Sequence, residues 1–204
     1  MEIMTISHKH VPKNFINSVF LTGFVPDIFK AYFNLKKSFR SQLKINFTET
    51  RLLAYSFFIA VILFLERLPL RVMNHSEELG GKIIFHSIGI DLFASIFFVP
   101  LFIYFLSAFM HVGGVFFGGK ASFFETRLAF FWSTIVVSPV LLITGLMEAL
   151  FIELWLSKII HYLAIITYAW IFSSIFCSAQ NFSSNIYLFF ILVLGYLFLS
   201  LFAT

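Results

Sequence analysis

Five stretches of this chain, at about 50–68, 88–110, 128–147, 159–178 and 186–203, are apolar over roughly the 20 residues that cross a bilayer's hydrocarbon core. Inside lipid a chain must satisfy its own backbone hydrogen bonds, so runs of this length are expected as helices. Composition agrees: 60% of the residues are hydrophobic and only 12% charged, where an ordinary soluble domain is about a quarter charged. That is too little charge to cover a water-facing surface. A disordered chain, a coiled coil, a nucleic-acid-binding domain and a soluble enzyme are all excluded. The expected fold class is all-α, a polytopic integral membrane protein with about five transmembrane helices.

The spans are not equally clean. The first has a charge-free run only over Leu52–Leu65, which puts Thr48–Arg51 and Glu66-Arg67 at its two interfaces. The third runs on into Leu146–Lys158, where Met147, Leu150, Phe151, Leu154 and Trp155 recur at helical spacing, as in a helical extension or an interfacial helix.

Orientation follows from basic residues near the span ends. Eight of the fourteen Lys and Arg residues precede the first apolar run, and Lys120 and Arg127 would share their side. Arg67, Arg71, Lys82 and Lys158 would lie opposite. Ten against four places the N-terminus in the cytoplasm, and five spans then place the C-terminus in the periplasm. Met1–Pro12 has neither the apolar core nor the small-residue cleavage site of a signal peptide, so the first internal span is expected to start insertion.

Residues 1–46 form a basic amphipathic segment ahead of the membrane domain at 47–204. Within it Ile16, Val19, Phe20 and Phe24 make one apolar stripe, and Ile28, Phe29, Tyr32, Phe33 and Phe39 a second. Lys30, Lys36, Lys37 and Arg40 lie among them. Such helices lie in the membrane interface, where each basic residue near an anionic leaflet is worth about 1 kcal/mol. The alternative is a small cytoplasmic helical hairpin packed on the membrane domain.

Glu49-Thr50-Arg51-Leu52 recurs as Glu125-Thr126-Arg127-Leu128, each copy leading directly into an aromatic-rich span. Asn46 and Ser122 stand three residues before the glutamates, which is capping-box spacing, and a carboxylate there suits the positive end of the helix dipole. Arg51 and Arg127 would then anchor at the cytoplasmic headgroups. Both copies open odd-numbered spans, so a parallel repeat of helix pairs is expected; two independently capped helix starts would look the same.

The segment His111–Ser133, with Gly118-Gly119-Lys120, Arg127, Ala129 and Trp132, resembles part of the Yip (Ypt-interacting protein) domain family in its short bacterial form. Leu21–Phe39 around Pro26-Asp27 resembles the amphipathic segment before that family's first span, and Thr50–Pro69 resembles the span itself. The resemblance implies a multi-pass protein of a bacterial inner (plasma) membrane with no defined molecular activity. Eukaryotic members carry longer polar N-terminal regions and are associated with Rab GTPases. The short region before this chain's first span gives no ground for carrying that role over.

Charged or polar groups within spans are functional suspects by default. The suspects are Asp91, His111, Glu148, Glu153 and His161, with Asp91 and His161 the intramembrane candidates, each against the plainer reading of an interfacial anchor or one interhelical hydrogen bond. Glu49, Arg51, Gly118, Gly119, Glu125, Arg127 and Trp132 are read as structural, at helix entries and a tight turn. Zinc, nucleophile-elbow, phosphate-loop and dinucleotide signatures are missing, so no catalytic residue, metal or cofactor is expected. The lone Cys177 excludes an intramolecular disulfide framework. The expected activity is non-enzymatic and acts through contacts with membrane lipids, a membrane-protein partner or a second copy, without nucleic acid. The rival is a small transporter, with His161, Asp91 and the prolines Pro100 and Pro139 along a path.

Overall fold

The computed structural model describes residues 24–45, 49–76, 81–151 and 155–202. Among them the regular elements are all helices: α1 (Phe24–Phe33), α2 (Leu35–Lys44), α3 (Glu49–Ser76), α4 (Gly81–Phe116), α5 (Phe123–Leu150), α6 (Trp155–Gln180) and α7 (Ile186–Phe202). Four of them contain stretches long and apolar enough to cross a membrane: Glu49–Met73, His86–Phe116, Phe123–Leu150 and Trp155–Gln180. The fifth apolar helix, α7, has 17 residues, about 26 Å of helix against roughly 30 Å of hydrocarbon. Pro69 does not end the first span, because α3 continues through it to Ser76. The amphipathic continuation of the third span breaks at Leu150, with Phe151 as C-cap, and α6 restarts at Trp155. Glu153 and Leu154 lie outside the described residues.

The hub is α5. Leu128, Ala129, Phe131, Trp132, Ile135, Val136 and Val137 are all fully buried, as befits a helix that is apolar all round and enclosed by protein. The helices α3 and α6 pack along its flanks, α4 lies against α3 and α5, and α7 lies outside α6. By contrast α4 leaves Phe93, Phe97, Phe98, Phe105 and Phe109 each about two-thirds exposed. Lipid tails are as apolar as these side chains, so a bilayer accepts that face without penalty.

The repeat-bearing helices α3 and α5 run parallel and in register. Near one end Glu49 meets Arg127. Near the other, a Cβ on Gly145 would collide with the Glu66 backbone carbonyl. Glycine is required there because the two backbones touch.

The pair α1–α2 folds as a hairpin packed against α5 and α6. Asn34 caps α2, its side chain accepting from the Lys37 N–H at 2.9 Å. Ile28, Ala31, Phe39 and Gln42 turn inward and are buried. The Tyr32 hydroxyl donates to the Val136 carbonyl at 2.7 Å, and the Trp132 indole N–H donates to Ser38 Oγ at 3.1 Å. Val136 stands about 20 Å along α5 from its start, so the hairpin reaches well up the bundle. Pro139 supplies no N–H to this part of α5 and disturbs the turn before it; the Tyr32 hydroxyl caps a carbonyl of that turn. Burial pushes the Tyr32 phenol above its ordinary titration range. The outer side of the hairpin still presents Val25, Phe29 and Phe33 together with its basic residues.

Candidate functional site

The expected helix entry at Ser122 is present. Ser122 Oγ accepts from the Glu125 N–H at 3.2 Å, and Glu125 Oε2 accepts from the Ser122 N–H at 2.7 Å. The matching cap at Asn46 lies outside the described residues. The structure brings the two motif copies together: Arg127 Nη1 and Nη2 donate to the two Glu49 oxygens at 2.9 and 2.7 Å. Arg51 donates to Gln42 Oε1 at 2.7 Å and, through Nε, to the Tyr55 hydroxyl at 2.9 Å. Both arginines are engaged inside the protein. The Arg127 side chain is only 12% exposed and the Glu49 side chain 64%. Trp132, expected at a helix entry, lies in the core against Tyr55 and Ser38.

Partly exposed ion pairs contribute about 1 kcal/mol or less, but Glu49→Arg adds repulsion against a mostly buried guanidinium. It is expected to lower the apparent melting temperature in detergent by a few degrees. Adding Arg127→Glu should restore most of that loss, measured as a double-mutant cycle; additive losses would mean the pair does not form.

Gly118 and Gly119 form the expected turn between α4 and α5, and its purpose is specific. Gly118 has a φ of +81°, a left-handed conformation open to glycine. A Cβ on Gly114 or Gly119 would strike the Gln180 side-chain amide. That amide, 1% exposed, accepts from the Ala121 N–H at 3.2 Å and donates to Thr126 Oγ1 at 3.1 Å, and His111 Nδ1 lies 3.1 Å from the same hydroxyl. Sequence reasoning missed Gln42 and Gln180. They are the chain's two glutamines, and a lone amide at the edge of an apolar run was the available signal.

At the opposite end, Asp91 forms a salt bridge with Arg71, joining α4 to α3. His161 Nδ1 lies 2.7 Å from Glu148 Oε1 and Nε2 lies 3.0 Å from the Tyr196 hydroxyl, so one imidazole links α5, α6 and α7. Each candidate makes the interhelical contact of the plainer reading, and the two sit in separate pairs. Arg71 and His161 both border a cavity of about 520 Å³ that α3, α4, α5 and α6 line together with Tyr196 of α7. Its walls include Val99 and Leu141, beside Pro100 and Pro139. The four basic residues Lys30, Lys36, Lys37 and Arg40 are exposed on the hairpin. Among the described residues no three His, Cys, Asp or Glu side chains gather as a metal site would require.

No family model, curated protein or solved structure matches the chain. Nothing in these comparisons identifies a Yip domain.

Proposed function

We propose that this is a non-enzymatic protein of a bacterial inner membrane, of the type its Yip-like residues suggest. Its N-terminal helical hairpin engages the anionic lipids of the cytoplasmic leaflet. One observation carries this reading: the hairpin is keyed to the bundle by Tyr32, Ser38 and Gln42, yet leaves an apolar stripe and four basic side chains facing outward. Val25, Phe29 and Phe33 follow one another at helical spacing, 47%, 59% and 92% exposed, and long basic side chains can reach from such a stripe to the headgroups. The bias of basic residues favours a cytoplasmic N-terminus, and crossing by α7 would put the C-terminus in the periplasm. A contact at the hairpin would reach the buried centre of α5 directly through Trp132 and Val136, which suits a protein that organises or senses its membrane. Transport finds less support, because the cavity lining includes no residue from the cytoplasmic helix ends.

The test uses the full chain in nanodiscs of zwitterionic lipid, with and without anionic lipid. Backbone hydrogen exchange across 24–44 should slow several-fold when anionic lipid is present, since each basic residue at the leaflet contributes about 1 kcal/mol. Replacing Lys30, Lys36, Lys37 and Arg40 by Gln should remove the difference, as should about 1 M salt, where the Debye length falls to about 3 Å. Equal exchange in the two lipid compositions would sink the proposal.

A further inference from the structure

The cavity opens sideways. Its lining comes from α3, α4, α5 and α6, with Tyr196 of α7 beside His161. The helices α4 and α6 share no extended interface, and Phe102, which lines the cavity, is 61% exposed. Hydrocarbon therefore has access between α4 and α6. The inner end is closed by Ile59, Ile103 and Phe130, all buried; the outer end carries Glu66, Arg67, Arg71 and His161. Along α3 the distance from Arg71 to Ile59 is about 18 Å, close to one leaflet's share of a hydrocarbon core about 30 Å thick.

The interior makes few polar demands. Thr134 donates to the Phe130 carbonyl and lies 3.3 Å from the Tyr168 hydroxyl, and Thr144 donates to the Val140 carbonyl. These hydroxyls are satisfied within the protein, and apart from Ser95 the walls between them are aliphatic and aromatic. The mouth is different. Arg71 is bound to Asp91, and His161 is held by Glu148 and Tyr196. Arg67, with a side chain 72% exposed, makes only a 3.8 Å contact with its neighbour Glu66 among the described residues. Its guanidinium can turn to an anionic oxygen at headgroup level, where a bidentate contact is geometrically favoured.

We propose that this cavity holds one acyl tail of an outer-leaflet phospholipid, with the lipid phosphate at Arg67. The length of the cavity matches one leaflet, its walls suit a hydrocarbon chain, and its cation stands where a phosphate would lie. The outer-leaflet assignment rests on the cytoplasmic N-terminus proposed above; the site itself is separate from the hairpin and holds or fails independently of the leaflet contact proposed for it.

The full-length protein, purified in mild detergent, is loaded with palmitoyl-oleoyl phosphatidylglycerol or, separately, with palmitate. Native mass spectrometry then counts bound molecules per chain. One phospholipid should be retained. Ala164→Phe, which adds a ring to the cavity wall, should cut retention about tenfold or more, the equivalent of at least about 1.4 kcal/mol. Ser95→Leu should act in the same direction and decides the matter if Ala164→Phe does not fold. Arg67→Gln should weaken phospholipid retention several-fold while leaving the melting temperature of the lipid-free protein unchanged. Unchanged retention in a folded, cavity-filled variant would overturn the proposal, as would retention of palmitate but not of phospholipid.

Discussion

Trp132→Ala is expected to be the most damaging single substitution in the described core, lowering stability by about 3–5 kcal/mol, the range for truncating a buried aromatic residue. In a detergent melt that corresponds to a loss on the order of 10 °C for a chain of this size. The cause is not removal of apolar area from water, since lipid already solvates the outside of the bundle. Trp132 is fully buried, packs against Tyr55 and donates to Ser38. Its loss leaves a cavity where α5 meets both α3 and the hairpin. Trp132→Phe should recover much of the packing but not the bond to Ser38. A melt unchanged by Trp132→Ala would mean the hairpin does not seat on α5.

Gly145→Val should come close to it. The new side chain would press on the Glu66 carbonyl, and a backbone atom in the middle of a helix cannot rotate away as a side chain can. Overpacking costs about 1–3 kcal/mol; the upper end is expected because relief requires α3 and α5 to separate along a shared face. Gly195→Ala provides the opposite case. Nothing lies within 4 Å of its added Cβ, so the substitution should be neutral or stabilising by up to about 1 kcal/mol through helix propensity. If both variants melted alike, the close approach at Gly145 would be refuted.

What could be read beforehand was mostly local. The Ser122–Glu125 cap needs only residues three apart, and the apolar spans need only composition. The duplicated Glu-Thr-Arg-Leu entries also carried real information, since parallel neighbouring helices set equal motifs side by side. Which arginine answers which carboxylate was beyond reach, because it depends on Gln42 arriving from another helix to take Arg51. Hydropathy could not tell the central helix from the peripheral one either. Lipid and protein interior are equally apolar, so α4 and α5 look alike on that scale. The distinguishing mark is the small hydroxyls: Ser133, Thr134, Ser138 and Thr144 are buried in α5, whereas α4 carries large phenylalanines outward. Close helix contacts favour small side chains, and bulky ones go to the lipid. The cavity depends on how five helices diverge, which no single run of residues records.

The seating of the hairpin also has a consequence for synthesis. Tyr32 and Val136 are 104 residues apart, so the first-made helices meet α3 early, through Gln42 and Arg51, but their seat on α5 exists only once α5 emerges. At about 5–20 residues per second that is a delay of roughly 5–20 s. Throughout that interval the hairpin is an amphipathic tether not yet seated on α5. Its docking comes late in assembly, after α5 has been threaded.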